Sequence, residues 1–459
     1  MSLRLAFYGD DFTGSTDALE VLAFAGLNTA LFLQPPSAED LARFGALDAF
    51  GVAGDSRAMS PAEMDAHLPA VFAALARSGA PLVHYKVCST FDSAPAIGSI
   101  GRAMELARAA FGPAAVPVVA GTPALQRYCL FGHLFARSAT DDQVHRIDRH
   151  PIMRTHPVTP MDESDLRLHL GRQTALTMAN LAFPHFDAGR AAADARWDQL
   201  VADGAQAVLL DSATPAHLTE VGRLLDRLGS NEAPRFVVGS SGAEYGLVQW
   251  WRESRRLAAA APAYDAFAEV DLVLAVSGSA SLLSARQVDA ALAAGYADLA
   301  VDAVRLLDER TAAQETEALV ARAVAALERG ASAMLHTARG PQDPRIEAGI
   351  AVLQAQGLER DAARHAAGRL VGQRLGQVAR AVLQRTRLQR LLLSGGDTSS
   401  QVTQALAPQA LVIAARLARG APLCRMVGGP PGVDGVEVAL KGGQMGDTEF
   451  FESARRGRR

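Results

Sequence analysis

LAFYGDDFTGSTDALEVLAFAGLNTALF, residues 5–32, decides the fold. LAFYG is a short apolar run with two aromatics and reads as a buried strand. STDALEVLAFAG follows with Ser15 as a candidate N-cap, an acidic first turn, helical apolar spacing and a terminal Gly26, so both end signals of a helix are present. NTALF returns to a strand. A strand, a helix and a second strand in that order predict a parallel sheet flanked by helices. Asp10 and Asp11 stand side by side at the end of the first strand. One acid suffices to cap a helix, and Asp11, Thr13 or Ser15 could each do so. Two adjacent carboxylates repel, so at least one has another use.

The same alternation runs on. AFGVAGDSRAMSP, PLVHYKVCSTFDS, AVPVVAGTPA, QAVLLDSATP and RFVVGSSGAEY each end an apolar run in a polar or glycine-rich loop, mostly with an amphipathic stretch behind. Residues 249–270 are charged and then rich in Ala and Pro, and are read as a linker. DLVLAVSGSASLLSARQ restarts the pattern. The expected architecture is α/β: two Rossmann-like lobes with mostly parallel sheets and the active site in the cleft between them. The expected domains are 1–248, 249–270 as linker, and 271–459, which suits a chain of 459 residues.

Composition narrows the function. A net charge of −4 gives no reason to expect nucleic acid, and no apolar stretch is long enough for a membrane span. Cys88, Cys129 and Cys424 are far apart and form no CxxC, which excludes a disulfide framework or zinc knuckle. The chain reads as cytoplasmic. His145, His150 and His156 are spaced five and six apart, which fits no zinc motif and reads as a Pro-pinned loop. No GxSxG elbow, P-loop or GxGxxG fingerprint occurs, and the last absence disfavours an NAD-dependent dehydrogenase. Lysine occurs only at Lys86 and Lys441, against 43 arginines. In a chain that uses arginine so freely, a retained lysine marks a place where a compact ammonium does what a guanidinium cannot.

Ligands of open α/β sheets bind at the carboxyl ends of strands. Three glycine-rich turns with that address lie in the second half: VSGSAS (276–281), SGGDTSS (394–400) and LKGGQMG (440–446). Glycines admit backbone N–H groups to an anion, and Ser277, Ser279, Ser281, Thr398 and Ser399 add hydroxyls, so nucleotide phosphate is the expected ligand. The first half presents Asp10, Asp11, Arg57, Lys86, Asp92, Arg154 and His156 in its loops, a mixture suited to a small polar anion.

With these residues in view, the chain resembles the four-carbon acid sugar kinase family over nearly its whole length. The marks are GDDFTGSTD, YKVCSTFDS and PIMRTHPVTPM in the first half, then SGSAS, SGGDTS and LKGGQMG in order. The resemblance implies ATP- and Mg²⁺-dependent phosphorylation of a terminal hydroxyl on a small acid such as threonate, erythronate or 3-oxo-tetronate. By motif, Ser279, Gly395, Gly396, Asp397, Thr398 and Gly443 become nucleotide contacts, with Asp397 toward Mg²⁺. Asp11, Asp10 and Lys86 become catalytic candidates, and Arg57, Ser89, Asp92, Arg154 and His156 substrate-side ones. Ser99, Gln444 and Met445 depart from the family's usual Asn, Asn and Phe, so kinases of branched or five-carbon oxo acids fall within the same reading. A non-catalytic ATP-sensing module on this fold is the alternative from another class. Homo-oligomerisation stays open.

Overall fold

The computed structural model of the chain describes residues 3–138, 141–156, 158–258, 263–418 and 420–458, which form two compact units, Met1–Pro262 and Ala263–Arg459. In the first unit the strands are β1 (Leu5–Gly9), β2 (Thr29–Phe32), β3 (Ala49–Ala53), β4 (Leu82–Lys86), β5 (Val116–Val119), β6 (Arg127–Leu130), β7 (His133–Arg137), β8 (Val144–Arg146), β9 (Met178–Leu181), β10 (Ala207–Leu210) and β11 (Arg235–Gly239). Eight of these make one parallel sheet in the order β2-β3-β1-β4-β11-β5-β10-β9. β1, β2, β4, β5 and β10 are buried along their whole length, as expected of parallel strands covered on both faces. β6, β7 and β8 form a separate antiparallel sheet, tied by Thr122 to the end of β5 and by Ser212 to the loop after β10.

Connections leave β1 toward β2 but leave β4 toward β5, so these neighbours mark the point where the winding reverses. The carboxyl ends of strands at such a point are the general ligand site of these sheets.

The second unit repeats the device with β12 (Leu274–Ser277), β13 (Ala297–Ala300), β14 (Ala333–His336), β15 (Arg390–Ser394), β16 (Ala410–Ala418), β17 (Ala421–Val427) and β18 (Glu437–Lys441). β13-β14-β12-β15-β18 are parallel, and β17 and β16 continue the sheet antiparallel. Here the winding reverses between β12 and β15, and those two strands end in SGSAS and SGGDTS.

The α/β class with mostly parallel sheets agrees with the expectation. Two local readings are corrected. The first helix, Phe12–Phe24, is capped by Asp11 and not Ser15, because extended Asp11 turns its Oδ1 onto the Gly14 amide at 2.7 Å. Ser15 lies inside the helix and spends its hydroxyl on the Asp11 carbonyl, 2.7 Å away. Residues 249–270 are not one free linker. Helix Gly242–Glu253 runs into them with Trp251 only 2% exposed, packed under Arg4. At the other end Ala268 O accepts from buried Arg390, and the Val270 amide donates to Arg455 O. The Ala/Pro composition concealed both attachments. Residues 259–262 lie outside the described residues.

We place the domain boundary near residue 262. A chain of residues 263–459 is expected to fold on its own with a cooperative thermal transition, by circular dichroism. A chain starting at Asp271 lacks Ala268 and Val270, which bond to Arg390 and Arg455, and is expected to melt several degrees lower. Equal melting of the two would refute the attachment.

Candidate active site

The loops after β1, β3 and β4 converge because their strands end in register. Gly9 pairs with Ala53 on one side and Lys86 on the other. Arg57, from the loop after β3, closes the group. Its Nε and Nη2 grip both oxygens of Asp10 at 3.1 and 2.6 Å, and Nη1 holds Asp11 Oδ2 at 2.7 Å. Burial opposes the guanidinium's charge, but Asp10 and Asp11 outweigh it and hold Arg57 above its ordinary range. Asp10 is almost enclosed, its side chain 6% exposed against 30% for Asp11. That burial pushes the Asp10 carboxyl up to about 6, although Arg57 pulls it down. Of the adjacent pair, then, Asp10 braces Arg57, while Asp11 caps the helix and keeps an accessible edge.

Lys86 Nζ is buried and meets Asp17 Oδ2 at 3.2 Å. Burial works against the ammonium, but Asp17 and then Asp11 more than compensate, raising Lys86 above the usual lysine value. Gly14 fits closely here, since a Cβ on it would sit 2.3 Å from Asp11 Oδ1 and 3.0 Å from Lys86 Nζ and would push the Asp11 cap aside. The T-G of the opening motif thus leaves room for the lysine.

After β4, Asp92 accepts from Thr90 Oγ1 at 2.6 Å, and its charge acts on Arg57. Ser89 stands half-buried beside them. Phe91 is fully buried with φ of 55°, a costly conformation for a bulky residue and one that marks this turn as constrained.

Among the described residues, neither Arg154 nor His156 bonds to this group. Arg154 is exposed in a short turn, and His156 Nδ1 accepts from the Thr159 amide at 3.1 Å. The histidine loop serves itself: His145 pairs with Asp141, and His150 Nδ1 accepts from the amides of Ile152 and Met153. Asp17 was missed as a site residue. It lies within the quoted motif, but only the fold shows that the helix turns it toward Lys86.

In the second unit the three turns lock together. The Gly278 amide donates to Ser394 O and the Gly395 amide to Lys441 O, both at 2.9 Å. A Cβ on Gly278 would fall 1.8 Å from Thr398 Oγ1, so SGSAS and SGGDTS touch only because that position is glycine. Ser281 caps helix Leu282–Ala293 and donates to Gly443 O at 2.5 Å. Its hydroxyl is therefore scaffold and not a free donor. Ser279 Oγ accepts from the Ser281 amide at 3.2 Å, and Ser277 Oγ is buried without a partner. Helix Gly396–Leu406 has no side-chain cap, which leaves the first-turn amides at Gly396, Asp397 and Thr398 open to an anion. Lys441 is buried, donates to Gly442 O at 3.1 Å and lies over Phe450; burial lowers it to about 8. No carboxylate lies within ion-pair distance of it among the described residues.

The arrangement can therefore do two things. One unit offers carboxylates and braced cations to a polyol. The other offers uncapped amides to phosphate. Among the described residues no helix is long and apolar enough to cross a membrane.

Comparison with known proteins bears on both halves. Residues 5–247 match a sugar-binding N-terminal domain and residues 274–451 a nucleotide-binding C-terminal domain. The chain is 44% identical to 3-oxo-isoapionate kinase of Paraburkholderia graminis, covering 99% of this chain and 95% of that one. It is 32% identical to 3-oxo-tetronate kinase of Methylobacterium radiotolerans, covering 99% of each. A crystal structure of a Salmonella typhimurium LT2 protein superposes with a TM-score of 0.78 at 25% identity, over 99% of this chain and 100% of that one. With whole-length relatives of this kind and both domains matched, the chain belongs to the four-carbon acid sugar kinase family.

Proposed function

We propose that this protein transfers the γ-phosphoryl group of ATP to a terminal hydroxyl of a small oxo sugar acid, and that the acid is a branched five-carbon one of the 3-oxo-isoapionate type. The observation that carries this reading is the whole-length similarity to 3-oxo-isoapionate kinase at 44% identity, against 32% for the 3-oxo-tetronate kinase above. The sequence alone put the linear four-carbon acids first; the relatives favour the branched alternative.

Phosphoryl transfer asks a protein mainly to position reactants and stabilise charge. The open amides of Gly396, Asp397 and Thr398 suit the phosphates, with Gly395, Ser279 and Gly443 shaping the turn around them. Asp397 is exposed in the first turn of its helix, unpaired among the described residues, and would hold Mg²⁺. When bound, that ion offsets phosphate charge. In the first unit Asp11 orients the acceptor hydroxyl and takes its proton late, Asp10 and Arg57 fix Asp11, and Lys86 keeps a positive charge beside it. An ATP sensor without turnover would have no need of this buried and mutually braced set.

The test is an ADP-release assay with ATP, Mg²⁺ and a panel of linear four-carbon and branched five-carbon 3-oxo acids. The branched acid is expected to lead in kcat/KM by about 10-fold or more, the scale of one well-fitted group. ATP consumption with none of the acids would reject the reading.

Asp11→Asn keeps an N-cap and is expected to keep the fold and ATP affinity while kcat falls about 10²-fold or more. Asp10→Asn weakens the grip on Arg57 and is expected to act mainly on thermal stability. Normal kcat in Asp11→Asn would move the proton acceptor to Asp17.

A further inference from the structure

The two cations at the β1/β4 strand ends are already spent. Arg57 serves Asp10 and Asp11, Lys86 serves Asp17, and Asp92 adds a fourth carboxylate within reach. Four carboxylates face two cations. Such a cluster accepts hydrogen bonds from hydroxyls well and repels another carboxylate. The acid end of the substrate therefore needs a different place with free donors.

One such place exists in the same unit. Arg127 opens β6 and is laddered to Thr122 by two backbone bonds, 2.9 and 3.2 Å, just past the end of β5. Its Nη1 donates to three carbonyls, Leu125, Gln126 and Arg137, which fix the guanidinium. Its Nε is buried with no partner, and no carboxylate lies within ion-pair distance among the described residues. Burial pulls Arg127 below its usual value, and the side chains that pull the other way are Cys88, neighbour of the substrate-side Ser89, and Tyr128. A guanidinium with a buried, unpartnered Nε and no facing anion is a costly arrangement unless a ligand supplies one.

A second observation falls beside it. Helix Gly242–Glu253 starts at the end of β11, between β4 and β5; Ser240 already takes its Gly242 amide through Oγ and its Ala243 amide through the carbonyl, so the free group at this end is on Ser241. Ser241 Oγ, at that helix start, is on a residue 1% exposed and has no hydrogen-bond partner. Thr122 links the two features, with its hydroxyl 2.7 Å from Ser240 Oγ. A guanidinium fork and a hydroxyl with no partner of its own are both suited to a carboxylate. β11 stands two strands from β1, a spacing of about 10 Å, so a short acid with its hydroxyl end at Asp11 can run along the strand ends toward this place.

We infer that the substrate's carboxylate is bound by Arg127 and by the Ser241 hydroxyl, and not by Lys86 or Arg57. This rests on the acid-kinase reading above and assigns which residues make the enzyme require an acid. The hydroxyl end goes to the aspartates and the acid end to Arg127.

The test compares the best acid acceptor with its neutral carboxamide in wild type and variants. Wild type is expected to prefer the acid. In Arg127→Met the KM for the acid rises about 10²-fold, the KM for ATP is unchanged and the acid-to-amide ratio of kcat/KM falls toward one; Arg127→Lys recovers part of it. Ser241→Ala moves the ratio the same way by about 5-fold, and its loss of one atom keeps the test open should Arg127→Met fail to fold. Lys86→Met lowers kcat on acid and amide alike. A wild-type ratio in the Arg127 and Ser241 variants, or a collapsed ratio in Lys86→Met, overturns the inference while leaving the kinase reading intact. A wild type inactive on every acid overturns both.

Discussion

The first unit depends on the grip of Arg57 on Asp10 and Asp11. Three hydrogen bonds join the loop after β3 to the end of β1, and Asp10 is the most enclosed of the partners. Removing Asp10, the enclosed member, leaves the guanidinium undercompensated and costs about 3 kcal/mol, the low end for a buried pair because Arg57 is partly exposed. The same Asp11 caps helix Phe12–Phe24, so the position of the helix is tied to that of the guanidinium. Asp17 rides on the helix and in turn fixes Lys86. The charges organise one another before any ligand arrives, which is the preorganisation that phosphoryl transfer rewards.

The two units reach the same topological solution with opposite chemistry. Each places its loops where the winding of a parallel sheet reverses. The first fills that place with carboxylates and braced cations, the second with glycine-rich turns and an uncapped helix. A polyol supplies hydrogen-bond donors and suits acceptors. A polyphosphate supplies acceptors and suits amides.

Much of this was legible in the sequence because it is local. The opening βαβ unit, the strand-end loops and the glycine turns follow from apolar period and from residues that permit tight turns. Long-range pairing was not legible. Nothing in STDALE says that Asp17 turns toward a lysine some seventy residues on, and QRYCL gives no hint that Arg127 lacks an anion. The antiparallel pair β16–β17 was missed although Gly420, at φ of 72°, marks the turn between them, because a lone Arg-Gly pair inside a long apolar run reads as one strand. Arg154 and His156 looked like ligand residues by type, but their loop holds the histidine for its own backbone.

A crystal structure of the protein with ADP and a bound acid acceptor tests the account most directly. The account predicts the diphosphate on the amides of Gly396–Thr398, the acceptor hydroxyl within hydrogen-bond distance of Asp11, and Arg57 still joined to Asp10. An acid whose carboxylate displaces Asp10 or Asp11 from Arg57 would contradict it, because the charge cluster would then be a carboxylate receptor and not a hydroxyl one.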